Sequence, residues 1–216
     1  MSHTLNVRQA QKQKTRRALL DAALELLEGQ SLSSLGLREV TRAVGVAPTA
    51  FYRHFRSVED LGVALVEEAL GSLHPMIRTI VSATGDGEER ITRAIELIAG
   101  HVDAHPAHVR FIARERHGGV RSVREAIRDQ LALFAEEVGE ALAEDPVSAG
   151  WSEEDLLMLA QLYVDQMLVT ASLFLEVPEG AAEAGTRERV FRVAARRMRL
   201  IGIGREHWLE GVGGGG

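Results

Sequence analysis

The sequence predicts an all-α protein, and three observations support that prediction. Apolar residues recur at spacings of three and four along almost the whole chain, which is the period of an amphipathic helix. Aromatic residues make up only 5% of the chain, and proline is rare outside a few breaks in the helical pattern. With 216 residues and 45% apolar content, the chain can bury a substantial core, in one domain or in a small head joined to a larger body.

The first helix is predicted from about Arg8 to Glu28. Its apolar stripe consists of Leu19, Ala22, Ala23, Leu26 and Leu27. Gly29 ends the helix, because glycine readily adopts the left-handed conformation found after a helix. The turns before the stripe are basic and lack apolar residues at the helical period, so we expect them to project from the core.

Two short helices separated by a glycine follow. Ser33 or Ser34 offers an N-cap for a helix of barely two turns that stops at Gly45. Pro48 then starts a third helix through Phe55, because the fixed φ of proline suits the first turn. Two short helices joined by a three- to four-residue turn containing glycine are typical of a helix-turn-helix.

The rest of the chain reads as a bundle of longer helices. Ser57 and Asp60 cap a fourth helix that we predict to continue to Val81. Further helices are predicted at about 88–104, 106–117, 120–143, 153–177 and 186–208, with loops at 145–150 and 178–185. We therefore divide the chain into a head at 1–56, a body at 57–210 and a glycine-rich tail at 211–216 that we expect to be disordered.

Charge is distributed unevenly between head and body. Residues 1–56 contain nine Lys and Arg and four acids, a net charge of +5, whereas the whole chain carries −6, so the remainder carries −11. A basic head on an acidic body suits a protein that brings one end to a polyanion. A merely solvated basic face is the alternative that charge alone leaves open.

The third helix has the two faces that a DNA-recognition helix needs. Phe51 and Phe55 share an apolar face that should pack into the head. The outward residues are short or polar, as expected of groups that contact base edges and phosphates in a major groove. The predicted DNA-binding residues are Thr49, Ala50, Tyr52, Arg53 and His54 on this helix, with Arg38, Arg16 and Arg17 as candidates for clamping the flanking backbone.

These residues also carry a resemblance to a known family. The stretch LGLREVTRAVGVAPTAFYRHF, residues 35–55, resembles the N-terminal domain of the TetR family of repressors. With the first helix and the segment VEDLGVAL, the resemblance covers about residues 12–70. It implies a DNA-binding head and a divergent ligand-binding body whose last two helices form the seam of a homodimer. One family feature is missing, because Val58 stands where the family usually has a phosphate-contacting lysine.

Within that family the chain resembles the FabR and DesT type of repressor of unsaturated fatty acid synthesis. The resemblance rests on residues 11–17, 31–40, 47–62 and 111–116, and the last of these lies in the body. It implies a dimer that binds long-chain acyl-CoA. The affinity of this dimer for desaturase-gene operators would depend on whether the acyl chain of the ligand is saturated. We expect the ligand to enter the body and shift the fourth helix, which changes the separation of the two recognition helices.

The body contains candidate groups for such a ligand. Arginines at 110–124 form its densest basic cluster, and an arginine fork suits a phosphate group of CoA. Nearby glutamates leave an ordinary salt-bridged surface as the alternative, and apolar helical spacing fits either an acyl tunnel or a packed bundle. The predicted ligand-binding residues are Arg110, Phe111, Arg114, Arg121, Met167 and Phe174.

Other chemistries have little support in the sequence. The chain contains no cysteine, so thiolate metal sites and disulfides are excluded. His101, His105 and His108 have helical spacing, but Pro106 interrupts them and no acidic ligand accompanies a pair. No motif for a nucleophile, a phosphate-binding loop or paired carboxylates occurs, so we predict neither a metal, nor a cofactor, nor an enzyme.

Two alternatives stay open at this stage. The first is a TetR-type repressor of efflux or catabolic genes with another apolar effector, although few aromatic residues are available to bind a planar cation. The second is an acyl-binding carrier without DNA binding. In either case we expect a cytoplasmic protein without membrane insertion, because the N-terminus has no secretory signal and no apolar run approaches bilayer length.

Overall fold

A computed structural model of the chain describes residues 2–82, 87–177 and 183–212, and within these ranges it contains α-helices, two short 3-10 turns and no strand. This confirms the predicted all-α fold class. The helices are α1 Ser2–Leu26, α2 Leu37–Val44, α3 Pro48–Phe51, α4 Val58–Gly71, α5 His74–Val81, α6 Gly87–Ala104, α7 Pro106–Glu115, α8 Arg121–Glu144, α9 Glu153–Leu175 and α10 Glu183–Val212. The 3-10 turns are Leu32–Ser34 and Pro146–Ser148.

The chain forms two compact units. The head unit comprises residues 1–71 and 110–128, and the body unit comprises residues 72–109 and 129–216. The head unit therefore contains α1 to α4 together with most of α7 and the first turns of α8. The predicted boundary after Arg56 divides the chain by role and stays a prediction, whereas the compact units place 57–71 and 110–128 with the head.

The core of the head unit is built from the apolar stripes that the sequence predicted. Leu19 and Ala23 of α1 are fully buried, as are Val40 of α2 and Leu61 of α4. Gly62 lies where α4 passes the 3-10 turn, and an added Cβ would meet Leu32 Cδ2 at 2.4 Å. The absence of a side chain at Gly62 thus permits close packing of these segments.

The ends of several helices follow the predicted capping chemistry. The Ser57 hydroxyl accepts a bond from the Asp60 amide at 3.1 Å, and the Asp60 carboxylate accepts from the Arg56 amide at 2.9 Å. Ser152 caps α9 in the same way, by accepting from the Asp155 amide. Ser57 and Ser152 each satisfy an amide group that the first turn of a helix leaves unpaired, and Asp60 binds the amide of Arg56 just before α4.

Several predicted boundaries are wrong, and three of them have clear physical causes. The helix containing Arg8 begins at Ser2, six residues earlier. The N-cap of α2 is Gly36, because the serines before it form the 3-10 turn and the Glu39 carboxylate accepts from the Gly36 amide. The fourth helix ends at Gly71 and α5 starts at His74, because Pro75 has no N–H to continue the hydrogen-bond ladder.

The body unit has a core shared by α6, α9 and α10, which contact one another pairwise. Its buried apolar residues are Ile95, Ile98, Ala99, Val102, Phe174, Val190 and Ala194. Exposed ion pairs join α10 to α6, Arg187 with Asp103 at 2.6 Å and Arg199 with Glu88. At the tail, residues 211–212 end α10, and the predicted disorder of 213–216 falls outside the described residues.

Candidate DNA-binding surface and effector region

The turn between α2 and α3 fixes the position of residues 48–55, which we call the recognition segment. Gly45 ends α2 in the left-handed conformation, with φ +72°, and the Val46 amide donates to the Thr41 carbonyl at 3.0 Å. Ala47 is extended, with ψ 148°, as expected before Pro48, which is the first residue of α3. The helix-turn-helix is therefore formed by a glycine that can take positive φ and a proline that begins the next helix.

The inner face of the recognition segment is anchored by two phenylalanines. Phe51 is fully buried and Phe55 almost so, with ring centroids 5.5 Å apart. Regular α-helix ends at Phe51, but the Phe55 amide donates to the Phe51 carbonyl at 3.0 Å, so a helical turn continues to Phe55. These bonds hold residues 49–54 against the head core and leave their other face outward.

The outward face carries most of the predicted contacts. Thr49 and Arg53 are exposed, and Tyr52 is 62% exposed although it is a large aromatic residue. Ala50 and His54 are half-buried at its edges. A tyrosine this exposed gives up few contacts within the protein when it binds a partner. Its hydroxyl can donate to a phosphate oxygen.

A basic patch adjoins this face. The Arg16 guanidinium lies over the Phe55 ring, 5.1 Å from its centroid. Burial lowers the pKa of His54 below its ordinary 6.5, and the positive charges of Lys12, Arg16 and Arg53 lower it further. The charge of Lys12 therefore lies close enough to His54 to act on its ring. Sequence reasoning did not select Lys12, although its i, i+4 spacing to Arg16 could have indicated a shared helix face.

The two other basic candidates occupy different surroundings. Arg38 is exposed at the second residue of α2 and is open to a phosphate group. Arg17 is an immediate neighbour of Arg16 but points elsewhere on α1, where it pairs with Asp21 at 2.9 Å and Glu68 at 3.2 Å. DNA binding by Arg17 stays a prediction, but it would have to compete with two carboxylates.

Four of the six predicted ligand-binding residues lie in the head unit. Arg110 forms an ion pair with Glu28 at 3.0 Å. Arg114 donates to the carbonyls of Leu27 and Gln30, each at 2.6 Å, just beyond the end of α1. Helices leave their last carbonyls without internal partners, so Arg114 caps α1 from a segment more than 80 residues away in sequence.

The neighbouring Glu115 makes the complementary contact. Its side chain is buried, and Oε1 accepts from the Leu32 amide at 2.9 Å. An added Cβ at Gly118 would lie 2.2 Å from the second carboxylate oxygen, so the glycine makes room for Glu115. Arg114 and Glu115 together tie α7 to the end of α1 and to the 3-10 turn. Neither residue was predicted in this role.

The remaining candidates fall into three settings. Phe111 is buried within the head unit, and Arg121 pairs with Glu125 on the exposed surface of α8. Phe174 is a core residue of the body unit and Met167 packs against the same core. Ligand binding by these residues stays a prediction, and no single cluster described by the structure contains all six.

The histidines near the α6–α7 junction lie close to one another. The ring centroids of His101 and His105 are 4.9 Å apart, and those of His105 and His108 are 5.9 Å apart. Burial lowers the pKa of His101, and the two neighbouring histidines lower it further. No group of three ligands with metal-binding geometry occurs among the described residues, these histidines included.

The N-terminal region matches a known protein family. Residues 19–65 match the family described as bacterial regulatory proteins, tetR family. The match spans the apolar half of α1, the whole helix-turn-helix and the first half of α4. The head therefore contains a segment similar to the tetR family model, centred on the helix-turn-helix.

Solved structures share the fold over most of the chain. The fatty acid degradation regulator FadR from Bacillus halodurans aligns with a TM-score of 0.65 at 16% identity, covering 86% of this chain and 93% of that one. FadR from Bacillus subtilis in complex with stearoyl-CoA aligns with a TM-score of 0.65 at 14% identity, covering 86% and 96%. Reduced NemR from Escherichia coli aligns with a TM-score of 0.62 at 21% identity, covering 87% and 97%.

Proposed function

We propose that this protein is a transcriptional repressor that binds a palindromic operator as a homodimer and releases or tightens its hold when a long-chain acyl-CoA binds. The observation that carries the DNA-binding part is the outward face of residues 49–54, an exposed tyrosine and arginine on a segment anchored by Phe51. Thr49 and Ala50 are short enough to approach base edges, and Tyr52, Arg53 and His54 contact phosphates.

The basic patch extends this surface along α1. Lys12 and Arg16 contact the phosphate backbone beside the groove that the recognition segment enters, and Arg38 contacts it from α2. Phosphate contacts of this kind set the orientation of the head and make affinity strongly salt-dependent. In this proposal Lys12 replaces Arg17 as a backbone contact, because carboxylates already hold Arg17.

Dimerisation uses the outer faces of α9 and α10. By length and composition alone α9 could cross a membrane, but its inner face packs against α6 and α10. Large apolar residues remain exposed on both helices, namely Leu157, Met158, Leu162 and Val169 on α9 and Val193, Leu200 and Ile203 on α10. An apolar patch of this extent on a soluble protein marks an interaction surface.

Charge favours a second copy of the chain as the partner. Glu154 and Asp165 lie on the α9 face with Met158, whereas Arg196 and Arg197 lie on the α10 face with Leu200. In a two-fold dimer, α9 of one copy can face α10 of the other, which brings acidic residues opposite basic ones. The four helices then bury both apolar faces, and two heads meet a palindromic site.

The acyl-CoA part of the proposal rests on two supports. Residues 111–116, which belong to the head unit, resemble the FabR and DesT type, and a solved structure with a similar fold, FadR from Bacillus subtilis, is in complex with stearoyl-CoA. The arginines first considered for the CoA phosphates are engaged elsewhere, Arg110 by Glu28 and Arg114 by carbonyl groups. Arg121, exposed and paired only across one helical turn, is the better candidate of the three.

Coupling between ligand and DNA passes through α7 and α8. Each of these helices has residues in both compact units, so the chain itself connects the body to the head. Arg114 and Glu115 form hydrogen bonds with the end of α1 and with the 3-10 turn Leu32–Ser34. The basic patch residues Lys12 and Arg16 lie on α1. A ligand that displaces α7 would therefore move the DNA-binding surface. Typical couplings of this kind amount to about 1–3 kcal/mol.

The DNA-binding proposal can be tested without knowing the operator. Selection from random double-stranded DNA with the purified protein should enrich a palindrome whose half-sites are spaced for a dimer, in a complex of two chains or a multiple of two. Enrichment of no sequence, or binding of DNA by monomers alone, would contradict the proposal.

The effector proposal needs a separate measurement. Native mass spectrometry of the protein expressed in bacteria should show a dimer carrying a mass that matches a fatty acyl-CoA. Titration of the selected DNA complex with stearoyl-CoA and with oleoyl-CoA should then shift the operator Kd, and differently for the two. A dimer that binds DNA with unchanged affinity at saturating acyl-CoA would reject this effector and leave the DNA-binding proposal standing.

A further inference from the structure

A half-buried polar and aromatic cluster occurs in the body unit. His74 Nδ1, at the start of α5, donates to Glu137 Oε1 on α8 at 2.7 Å. The His74 ring also meets the Phe134 ring edge-on, with centroids 4.8 Å apart. Gln130, Phe134 and Glu137 recur at spacings of four and three, so they share one face of α8, the face that meets α5.

Two oxygen atoms in this cluster are buried without a hydrogen-bond partner among the described residues. They are Gln130 Oε1 and Glu137 Oε2, and both are acceptors. A buried acceptor without a partner destabilises the protein, and more so if it is charged. Since the bond from His74 uses the Nδ1 proton, the neutral ring also has an acceptor at Nε2. The cluster thus offers two buried acceptors on one face of α8 and a third acceptor on the His74 ring of α5.

This arrangement selects the chemistry of a ligand. Acceptors bind groups that carry N–H or O–H, and an ionised Glu137 also attracts a cation. A free fatty acid carboxylate would be repelled, because it brings negative charge and acceptors to a site that already has both. Phe134, buried between the two polar residues, provides an apolar surface for the rest of the molecule.

We propose that His74, Gln130 and Glu137 form the polar end of the effector site in the body unit, and that they bind a ligand group that donates hydrogen bonds. This inference rests on the proposed role of the protein as a ligand-responsive regulator. Two sources supply such a group on an apolar chain. One is the pantetheine arm of an acyl-CoA, with its amide N–H groups and hydroxyl, and the other is the ammonium of an alkylamine.

The test compares three probes on the full-length protein by isothermal titration calorimetry. Palmitoyl-CoA and dodecylamine both carry donors, whereas dodecanoate at pH 7.5 carries only acceptors. The wild type should bind at least one donor probe and bind dodecanoate much more weakly. Glu137→Gln and Gln130→Met should each weaken the donor probe about tenfold, the effect of losing one buried hydrogen bond to a charged or amide acceptor.

Matched controls separate binding from folding. Glu136→Gln makes the same chemical change on the exposed side of α8, and it should bind the probe as the wild type does. Circular dichroism should show unchanged helicity in all three variants, and their affinity for the selected operator without ligand should equal that of the wild type. A wild-type protein that binds no operator would instead contradict the proposed function itself.

The outcomes are distinct. A loss confined to dodecylamine identifies the ligand as a cation, and a loss confined to palmitoyl-CoA identifies the pantetheine arm, and both support the inference. Folded variants that bind the donor probes as tightly as the wild type would overturn it, as would a wild type that binds neither donor probe or that binds dodecanoate as well as the donors.

Discussion

Apart from the ion pair of Arg110 with Glu28, the contacts that attach α7 in the head unit differ from those that join α6 to α10 in the body unit. In the head unit, α7 is held by bonds that end on backbone atoms, from Arg114 to the carbonyl of Leu27 and from the Leu32 amide to Glu115. In the body unit, α6 and α10 are joined by exposed pairs of charged side chains, such as Arg187 with Asp103. Bonds to the backbone fix where a helix end lies, whereas surface ion pairs exchange readily with water and salt. The bonds of Arg114 and Glu115 therefore fix the position of α7 more exactly than the ion pairs fix α10 against α6.

The largest expected effect concerns the anchor of the recognition segment. Phe51→Ala should lower the free energy of unfolding by about 3–5 kcal/mol, because it opens a cavity at a fully buried position in the head core. Urea denaturation followed by circular dichroism measures this, and hydrogen exchange should show the loss of protection concentrated in α1 to α4. Equal loss of protection throughout the body unit would mean that the two units do not differ in this way.

A matched pair of glutamates tests the difference in polar contacts. Glu115→Ala leaves the Leu32 amide unpaired in the interior and should cost about 1–3 kcal/mol. Glu88→Ala removes an exposed carboxylate from Arg199 and should cost clearly less, because water and salt screen this pair. Thermal unfolding in low and high salt should show salt dependence for the loss at Glu88 but little for the loss at Glu115. A larger loss of stability for Glu88→Ala than for Glu115→Ala would contradict the difference between these two kinds of contact.

A pair of glycines tests packing in the same two units. Gly62→Ala should destabilise the protein by about 1–3 kcal/mol, because the new Cβ would overlap Leu32 and Val123. Gly100→Ala lies on α6 with nothing within 4 Å of its Cβ position, so it should stabilise by about 0.5–1 kcal/mol through helix propensity. Melting temperatures of the two variants should move in opposite directions. A common direction would show that α4 is not packed as closely as described.

The smallest effect is a pH dependence at His54. Its pKa in the folded protein lies below the ordinary 6.5, so the unfolded chain binds the proton more readily and this histidine lowers stability as pH falls through 6.5. Phosphate groups beside it would raise the pKa again, so operator affinity should rise as pH falls from 7.5 towards 6. His54→Gln should flatten that rise in a fluorescence anisotropy titration, while retention of the full rise would assign it to another group.

The sequence alone predicts the head better than the body, and particular residues show why. Gly45, Pro48 and Ser57 act on their immediate neighbours, so local pattern was enough to place the helix-turn-helix and the start of α4. The role of Arg114 depends on carbonyl groups more than 80 positions away, which no local pattern encodes. Arg16 and Arg17 look alike in sequence, yet a 100° turn of the helix directs one to Phe55 and the other to Glu68.

The misplaced helix boundaries have equally local causes. The basic turns before Leu19 lack an apolar stripe, so periodicity could not detect the start of α1, which depends on intrinsic propensity rather than burial. The apolar pattern continues past Gly71. To predict the break there, Pro75 has to be given more weight than that pattern. In the body, periodicity shows which residues are buried but does not distinguish a packed core from a ligand tunnel, as Phe174 illustrates.

The most direct test of the central claim is the affinity of the selected operator for the wild type and for Tyr52→Ala, measured by fluorescence anisotropy at fixed salt. Tyr52 is exposed and its removal should change stability by less than about 0.5 kcal/mol, so a change in affinity reports on contact with DNA. We predict a loss of about tenfold or more in operator affinity with unchanged folding and dimerisation. An operator affinity equal to that of the wild type would show that the face of residues 49–54 does not meet DNA.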